Sequence, residues 1–293
     1  MNKEKGIILS THSMFEKLRP VEGLARRFMA IEPEDGLKHW PPFWGLRLEH
    51  QVEIRGYLPR YMEMAAGLGV GLLLDFNIHC THEEVASTIE RSHGYTQMAE
   101  RCGVKIMVTV NAGTQALVDI IVALKSNNTR VLARLSPIHH RADPHGKELH
   151  GVDHHSPATY KELVPKIDVA SKNARSALKA GADGFLTSSD YTLLIAHLAS
   201  ETFEGPPRLM AAIRVKTEEW IKLHPHSRCM PVSGAVDAGA RLIITSSPLR
   251  HGERMHMQLR QRSPDELFND VCREFAVTMA CIERMGQTTK PQQ

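Results

Sequence analysis

Asp75, Asn77 and His79 alternate along the stretch Leu72-Leu73-Leu74-Asp75-Phe76-Asn77-Ile78-His79-Cys80. That spacing puts all three on one face of an extended chain, with Cys80 on the other. A carboxylate near an imidazole suits acid–base work, because histidine titrates near neutral pH and a neighbouring carboxylate holds its tautomer. The plainer alternatives are an ordinary strand-to-helix junction, with His79 facing solvent or a partner subunit and Cys80 a small buried residue rather than a nucleophile.

A second concentration of reactive side chains runs from Ser136 to His155 and holds six histidines and two aspartates. Imidazole and carboxylate together suit zinc, iron or manganese. No HxxxH helix or other strict ligand spacing organises them, so the segment also reads as a solvated polar lid or as a lid that touches substrate. No cofactor is expected, and a tightly bound metal is not expected either.

These residues need elements to position them. Leu72 to Leu74, after Gly69-Val70-Gly71, reads as a strand buried on both faces, as in a parallel sheet covered by helices. Thr81 to Glu84 fits a capping box, and Val85, Ile89 and Met98 continue at helical spacing. The same junction recurs at Leu68-Gly69-Val70, Cys102-Gly103-Val104, Ala180-Gly181-Ala182 and Ala238-Gly239-Ala240. In each a helix ends, glycine supplies a left-handed cap, and a buried strand begins.

The strand candidates are Gly6 to Ser10, Leu46 to Glu49, Leu72 to Asp75, Lys105 to Val110, Arg130 to Leu135, Gly184 to Thr187, Arg208 to Ile213 and Leu242 to Thr245. Helical patterns cover Met14 to Met29, Tyr57 to Ala66, Gln115 to Leu124 and Tyr191 to Leu198. Eight strands alternating with helices predict an α/β fold, a (β/α)8 TIM barrel, in which Asp75, Asn77 and His79 sit at the C-terminal end of a strand, where such folds keep their chemistry. Ser263-Pro264-Asp265-Glu266 is a capping box with proline at the first helical position and opens a last helix to about Met285. The expected organisation is one domain over 1–285 with inserted loops at 31–44 and 136–156, and a disordered tail at 286–293.

With 293 residues and a net charge of +3, the chain is long enough for a sizeable core and has no basic tract that argues for nucleic acid. An anionic small molecule is compatible. Five cysteines without a CxxC pair favour reduced thiols in a cytoplasmic protein. The apolar run after Met1-Asn2-Lys3-Glu4-Lys5-Gly6 is too short for a signal peptide or a membrane span.

From about Leu46 to His251 the order of motifs resembles the orotidine 5'-monophosphate decarboxylase suprafamily. Leu74-Asp75-Phe76-Asn77-Ile78-His79-Cys80 lies where that family has Asp-x-Lys-x-x-Asp. Val108-Thr109-Val110-Asn111-Ala112-Gly113 resembles its fourth strand, and Ala180-Gly181-Ala182-Asp183-Gly184-Phe185 its sixth. Ala211-Ala212-Ile213-Arg214 resembles its Pro-Gly-Ile-Arg segment, and Ala238 to Leu249 its final strand and phosphate loop. The departures fall on the chemistry: Asn77 replaces the proton-donating lysine, Cys80 the aspartate lent across the dimer interface, and Ser247 the phosphate-gripping arginine. Ser10 or Thr11 stands where the first-strand aspartate is expected, and Arg47 or Glu49 near the second-strand lysine.

The resemblance implies a homodimeric lyase, a decarboxylase or other carbon–carbon lyase, acting on an anionic, nucleotide-like or phosphosugar-like small molecule. Asp75 would supply electrostatic stress or orientation, and His79 or Arg47 the proton or counter-charge. Glu49 is a further catalytic candidate. Asn77, Asn111 and Ser136 would make polar contacts, and Arg214, Ser246, Ser247 and Arg250 would hold the anion through side chains or a backbone nest. The rival readings are a non-catalytic ligand-binding barrel and a metal-dependent aldolase or hydrolase using the histidine-rich loop with Glu49 and Asp75.

Overall fold

Four glycines at helix ends all take left-handed backbone angles, with φ of 67° at Gly69, 70° at Gly103, 94° at Gly181 and 90° at Gly239. At Gly103 the N–H bonds back to Glu100 O at 3.1 Å and the following Val104 N–H to Ala99 O at 3.0 Å, the paired bonds of a Schellman cap. Gly181 with Ala182, and Gly239 with Ala240, repeat the pattern. Asn128 (φ 56°) makes a further copy, its N–H reaching Lys125 O and that of Thr129 reaching Leu124 O. The turn chemistry expected from glycine thus also operates through asparagine, the other residue that tolerates this conformation.

The computed structural model describes residues 6–10, 43–48, 58–69, 71–80, 85–112, 114–136, 157–205, 208–223, 229–244, 263, 265–266 and 269, with the backbone alone at 6–10, 43–48, 75–80, 112, 114, 157–163 and 220. The strands are β1 (Gly6–Ser10), β2 (Phe43–Leu48), β3 (Gly71–Cys80), β4 (Ile106–Ala112), β5 (Arg130–Arg134), β6 (Gly184–Thr187), β7 (Leu209–Ile213), β8 (Val215–Lys216), β9 (Met230–Pro231) and β10 (Leu242–Ile244). The helices are α1 (Leu58–Gly67), α2 (Val85–Cys102), α3 (Thr114–Ser126), α4 (Pro157–Lys179), α5 (Asp190–Glu201), α6 (Glu218–Leu223) and α7 (Val232–Asp237).

Eight strands close into a barrel in the order β1-β10-β7-β6-β5-β4-β3-β2, every neighbouring pair parallel. Leu74, Val108, Leu132, Leu186, Met210 and Ile243 lie on consecutive neighbours β3, β4, β5, β6, β7 and β10, as the sequence requires. The chain is an α/β barrel of the TIM type. Among the described residues no helix is long and apolar enough to cross a membrane.

Strand alternation divides the core in two. Leu73, Met107, Leu132, Leu186, Ala211, Ile213, Leu242 and Ile244 pack together inside the barrel. Their neighbours in sequence, among them Leu72, Leu74, Val108, Ala133, Phe185, Met210 and Ile243, join the larger cluster between the strands and the helices. A barrel interior filled by side chains is a core and not a pore, so chemistry is confined to its ends.

Several expectations need correction. The loop placed at 31–44 ends earlier, because Phe43 and Trp44 already belong to β2, where Phe43 pairs with Ile7 of β1. Two aromatics after Pro41-Pro42 suit a strand start better than the irregular composition around them suggested. Strand β3 runs on to Cys80, which pairs with Ala112, with a register shift between Phe76 and Cys80. On α2 the buried stripe is Thr88, Ser92, Thr96 and Ala99, whereas Val85, Ile89 and Met98 pack only partly buried. The hydroxyls make this possible: Ser92 Oγ donates to Thr88 O at 2.8 Å, Thr96 Oγ1 to Ser92 O at 3.0 Å, and the Thr96 and Thr129 hydroxyls bond to each other at 2.9 Å. The small β8–β9 sheet with α6 and α7 was not foreseen. The helix expected over Met14 to Met29, the Thr81–Glu84 capping box, the histidine-rich segment after Ser136 and the tail 286–293 lie outside the described residues.

The second capping box forms as expected. Ser263 N–H and Oγ both donate to Glu266 Oε2, at 2.8 and 2.9 Å, and Glu266 N–H returns to Ser263 Oγ at 3.3 Å. Arg60 on α1 meets Asp265 at 2.7 Å, which sets the start of the last helix beside α1.

Candidate functional site

The faces assigned by the inner cluster extend to the C-terminal ends of the strands. On β4, Thr109 and Asn111 continue the inward face of Met107; on β5, Arg134 continues that of Leu132. Register places them side by side. Asp75 pairs with Thr109, Thr109 with Leu132, Val110 with Ala133, and Arg134 with the inward Leu186 of β6. Asn111 and Arg134 each follow by one residue the last registered pair, Val110 with Ala133, at the C-terminal ends of β4 and β5. Thr109 is fully buried, while Asn111 and Arg134 are half-buried. Ser136 follows at the exposed rim, where its carbonyl accepts the Thr192 Oγ1 proton at 3.3 Å and ties the β5 loop to the first turn of α5.

The neighbouring rim sector is built by β6, β7 and the β8–β9 pair. Ser189, buried, caps α5 by accepting from Thr192 N–H at 3.4 Å. Arg214 joins β7 to β8 with φ 62°, a left-handed conformation that costs an L-residue roughly 1–2 kcal/mol. Its carbonyl accepts from Met230 N–H at 3.0 Å, and Val215 pairs with Met230, so the β8–β9 sheet holds the strained residue in place. Glu218 Oε1 accepts from Ser233 N–H at the start of α7, at 3.0 Å. Strain of this kind at a strand's C-terminal end, in a residue that also carries charge, points to a site.

Beside the mouth, a cleft of about 410 Å³ lies between the end of β5 and α4, lined by Leu135, Ser136, Pro165, Lys166, Val169, Ala170 and Asn173. Its volume is within the range of small-molecule sites. Pro165 sits inside α4, where it removes one intrahelical hydrogen bond.

The candidates named from sequence fall into three groups. Asn111 lies near the C-terminal end of β4, Ser136 two residues beyond the neighbouring β5, and Arg214 directly after β7 at the same end of the barrel. Arg47, Asp75, Asn77 and His79 are described by backbone only: Arg47 on β2 is level with Leu73, and Asp75 lies one strand from Thr109. Glu49, Ser246, Ser247 and Arg250 lie outside the described residues. Among the described residues no group of three or more histidines, cysteines or acids is placed to hold a metal.

Sequence reasoning missed Arg134. The available signal was its parity with Leu132 at a strand end, but an arginine closing a strand reads equally well as an outward solvated residue until the inner face is known.

No protein-family model matches the chain. No curated protein matches it either. Among solved structures it is similar to a provisionally assigned deoxyribose-phosphate aldolase from Toxoplasma gondii, at 10% identity over 83% of this chain and 90% of that one, with a TM-score of 0.45. It is similar also to an oxaloacetate acetylhydrolase bound to 3,3-difluorooxalacetate, at 16% identity over 99% and 94% of the two chains, TM-score 0.43. A third is an orotidine 5'-phosphate decarboxylase from Pyrococcus horikoshii, at 10% identity over 92% and 98%, TM-score 0.46. These are distant likenesses, and the fold assignment stands on the parallel strand order of the chain itself.

Proposed function

We propose that the barrel is a carbon–carbon lyase, of decarboxylase or aldolase type, that binds an anionic small molecule at its C-terminal mouth. The observation that carries this reading is the inward-facing set Thr109, Asn111 and Arg134, which puts neutral hydrogen-bonding groups one strand, and a cation two strands, from Asp75 at the C-terminal end of the barrel. Arg134 binds a carboxylate or phosphate through its planar fork, which a lysine or serine cannot reproduce. Arg214 supplies a second positive charge, and Asn111 and Ser136 orient the neutral part of the substrate. Asp75 orients or stabilises developing charge, and His79 or Arg47 delivers the proton that quenches the carbanion left by bond cleavage.

Glu49, Asn77, Ser246, Ser247 and Arg250 belong to the same proposal, as does assembly as a homodimer. The resemblance in motif order supports the lyase class; its missing lysine and arginine argue against the decarboxylation of orotidine 5'-monophosphate itself.

The test is titration calorimetry of the wild type and Arg134→Met with inorganic phosphate, oxalate and ribose 5-phosphate, followed by assays for carbon dioxide or aldehyde release from hydroxy- and keto-acids and from phosphosugars. Loss of one charge-assisted pair weakens anion binding by about 1.5–3 kcal/mol, roughly tenfold or more. Equal binding by the two proteins would remove the basis for the proposal.

A further inference from the structure

A helix on the outside of a barrel buries one stripe on the strands and turns the opposite stripe to water, so the outer stripe is ordinarily polar. α2 follows this rule: its exposed positions include Ser87, Glu90, Gln97 and Glu100. α5 does not. Its buried stripe is Thr192, Leu193, Ala196 and Ala199, and opposite it stand Tyr191, Leu194 and Leu198, which are 48%, 41% and 52% exposed. The neighbouring α4 leaves Val164, Ile167 and Val169 exposed as well. Among the described residues, six of the nine large apolar side chains left in solvent therefore lie on these two helices. Apolar surface gathered in this way marks a contact face.

Charge is sorted to either side of the stripe. α4, which packs directly on α5, carries Lys166, Lys172, Arg175 and Lys179 at exposed positions, against the single acid Asp168 among its described side chains. α5 has no lysine or arginine and bears Asp190 and Glu201. Its other neighbour is α7, and the acids lie on that side. A Cβ on Gly234 of α7 would stand 3.5 Å from Asp190 Oδ2, and the ring of His197, which meets Glu201 at 3.3 Å, lies against Gly239 just beyond α7. Across the surface the order is basic edge, apolar stripe, acidic edge.

We propose that a second copy of the chain docks on this face, in a parallel two-fold contact of α5 with α5. The inference rests on the homodimer proposed above and gives it a surface. The charge order selects the occupant. A two-fold axis running along α5 sets the basic edge of each copy against the acidic edge of the other, whereas an axis across the helix would oppose basic to basic. Lys179, the last residue of α4, then faces Glu201, the last residue of α5, in the second copy. The same axis brings each residue of the stripe onto its own counterpart. Steps of three and four along Tyr191, Leu194 and Leu198 are those of a parallel two-stranded seam. A specific dimer buries roughly 800 Å² on each partner, more than three side chains supply, so both charged edges enter the contact. The edges set its geometry and the stripe supplies most of its affinity.

The test is sedimentation of the full chain from low to high micromolar concentration, with variants at the stripe and at its edges. Wild type should sediment as a dimer, and Leu194→Glu of matching circular dichroism should raise the dissociation constant at least roughly tenfold. Leu194→Cys should form a disulfide between copies on mild oxidation, and peptide mapping should place it at 194 in both, because the axis passes beside that residue. Lys179→Glu and Glu201→Lys should each weaken self-association and, when mixed, pair with each other more tightly than either does with itself. A wild type that stays monomeric at these concentrations overturns the proposal. So does a dimer indifferent to Leu194→Glu, one in which Leu194→Cys gives no link at 194, or charge variants that pair no better mixed than alone; these three results leave the homodimer standing and remove only this face. Should Leu194→Glu fail to fold, the cross-link and the charge exchange decide.

Discussion

Replacing Asp183 by alanine should destabilise the barrel without touching its mouth. Asp183 lies at the N-terminal end of β6, where its carboxylate receives Lys125 Nζ at 2.9 and 2.8 Å and Val131 N–H at 2.8 Å. Its backbone adds the neighbouring strands: its N–H donates to Val131 O and its carbonyl accepts from Leu209 N–H. The two charged side chains keep 27% and 33% of their exposure, so solvent screens the ion pair and it contributes about 0.5–1 kcal/mol. Val131 is fully buried, and leaving its N–H without an acceptor costs about 1–3 kcal/mol. Together the loss for Asp183→Ala is about 1.5–4 kcal/mol. At roughly 2–4 °C per kcal/mol for a large domain, Tm falls by about 3–16 °C.

Asp183→Asn separates the two terms, because its carbonyl oxygen still accepts from Val131 while the charge is gone; it should lose about 1 kcal/mol or less. Urea unfolding followed by circular dichroism, with Lys125→Met and the double variant completing a cycle, measures both terms. The reasoning is refuted if Asp183→Ala lies within about 0.5 kcal/mol of wild type, the ordinary range for surface changes, or if asparagine is as damaging as alanine. The anion binding proposed for the mouth should be unchanged, since in barrels of this type the N-terminal end carries stability and the C-terminal end chemistry.

Gly184→Ala should be more disruptive than its size suggests: the added Cβ would lie 2.1 Å from Leu209 O on the adjoining strand, so β6 and β7 must part, at a cost of about 1–3 kcal/mol or more in the same unfolding assay. Orotidine 5'-monophosphate should not be decarboxylated; turnover near the typical ~10 per second would show that Asn77 and Cys80 have been misassigned against the family motif. In the native reaction Asp75→Asn should lower activity at least roughly a hundredfold, and an unimpaired variant would move the chemistry elsewhere. Elemental analysis of protein purified without added metal should find less than stoichiometric zinc, iron, manganese or magnesium, and one metal per chain would revive the reading in which the histidine-rich segment is a ligand set.

Much of the architecture was legible because it depends on local physics. Four helix-end glycines at positive φ, alternating buried strands and the Ser263–Glu266 capping box are set by backbone sterics and by hydrogen bonds among residues close in sequence. These were enough to predict eight parallel strands and their order. The copy of the same cap at Asn128 went unread only because asparagine is a weaker marker than glycine. The site was less legible. Asn111, Ser136 and Arg214 were picked out, but nothing local says which face of β5 is inside, and so Arg134 was passed over. A strand's own alternation defines two faces and leaves them equivalent; closure of the barrel, through register between strands distant in the chain, decides which face lines the interior and which meets the helices.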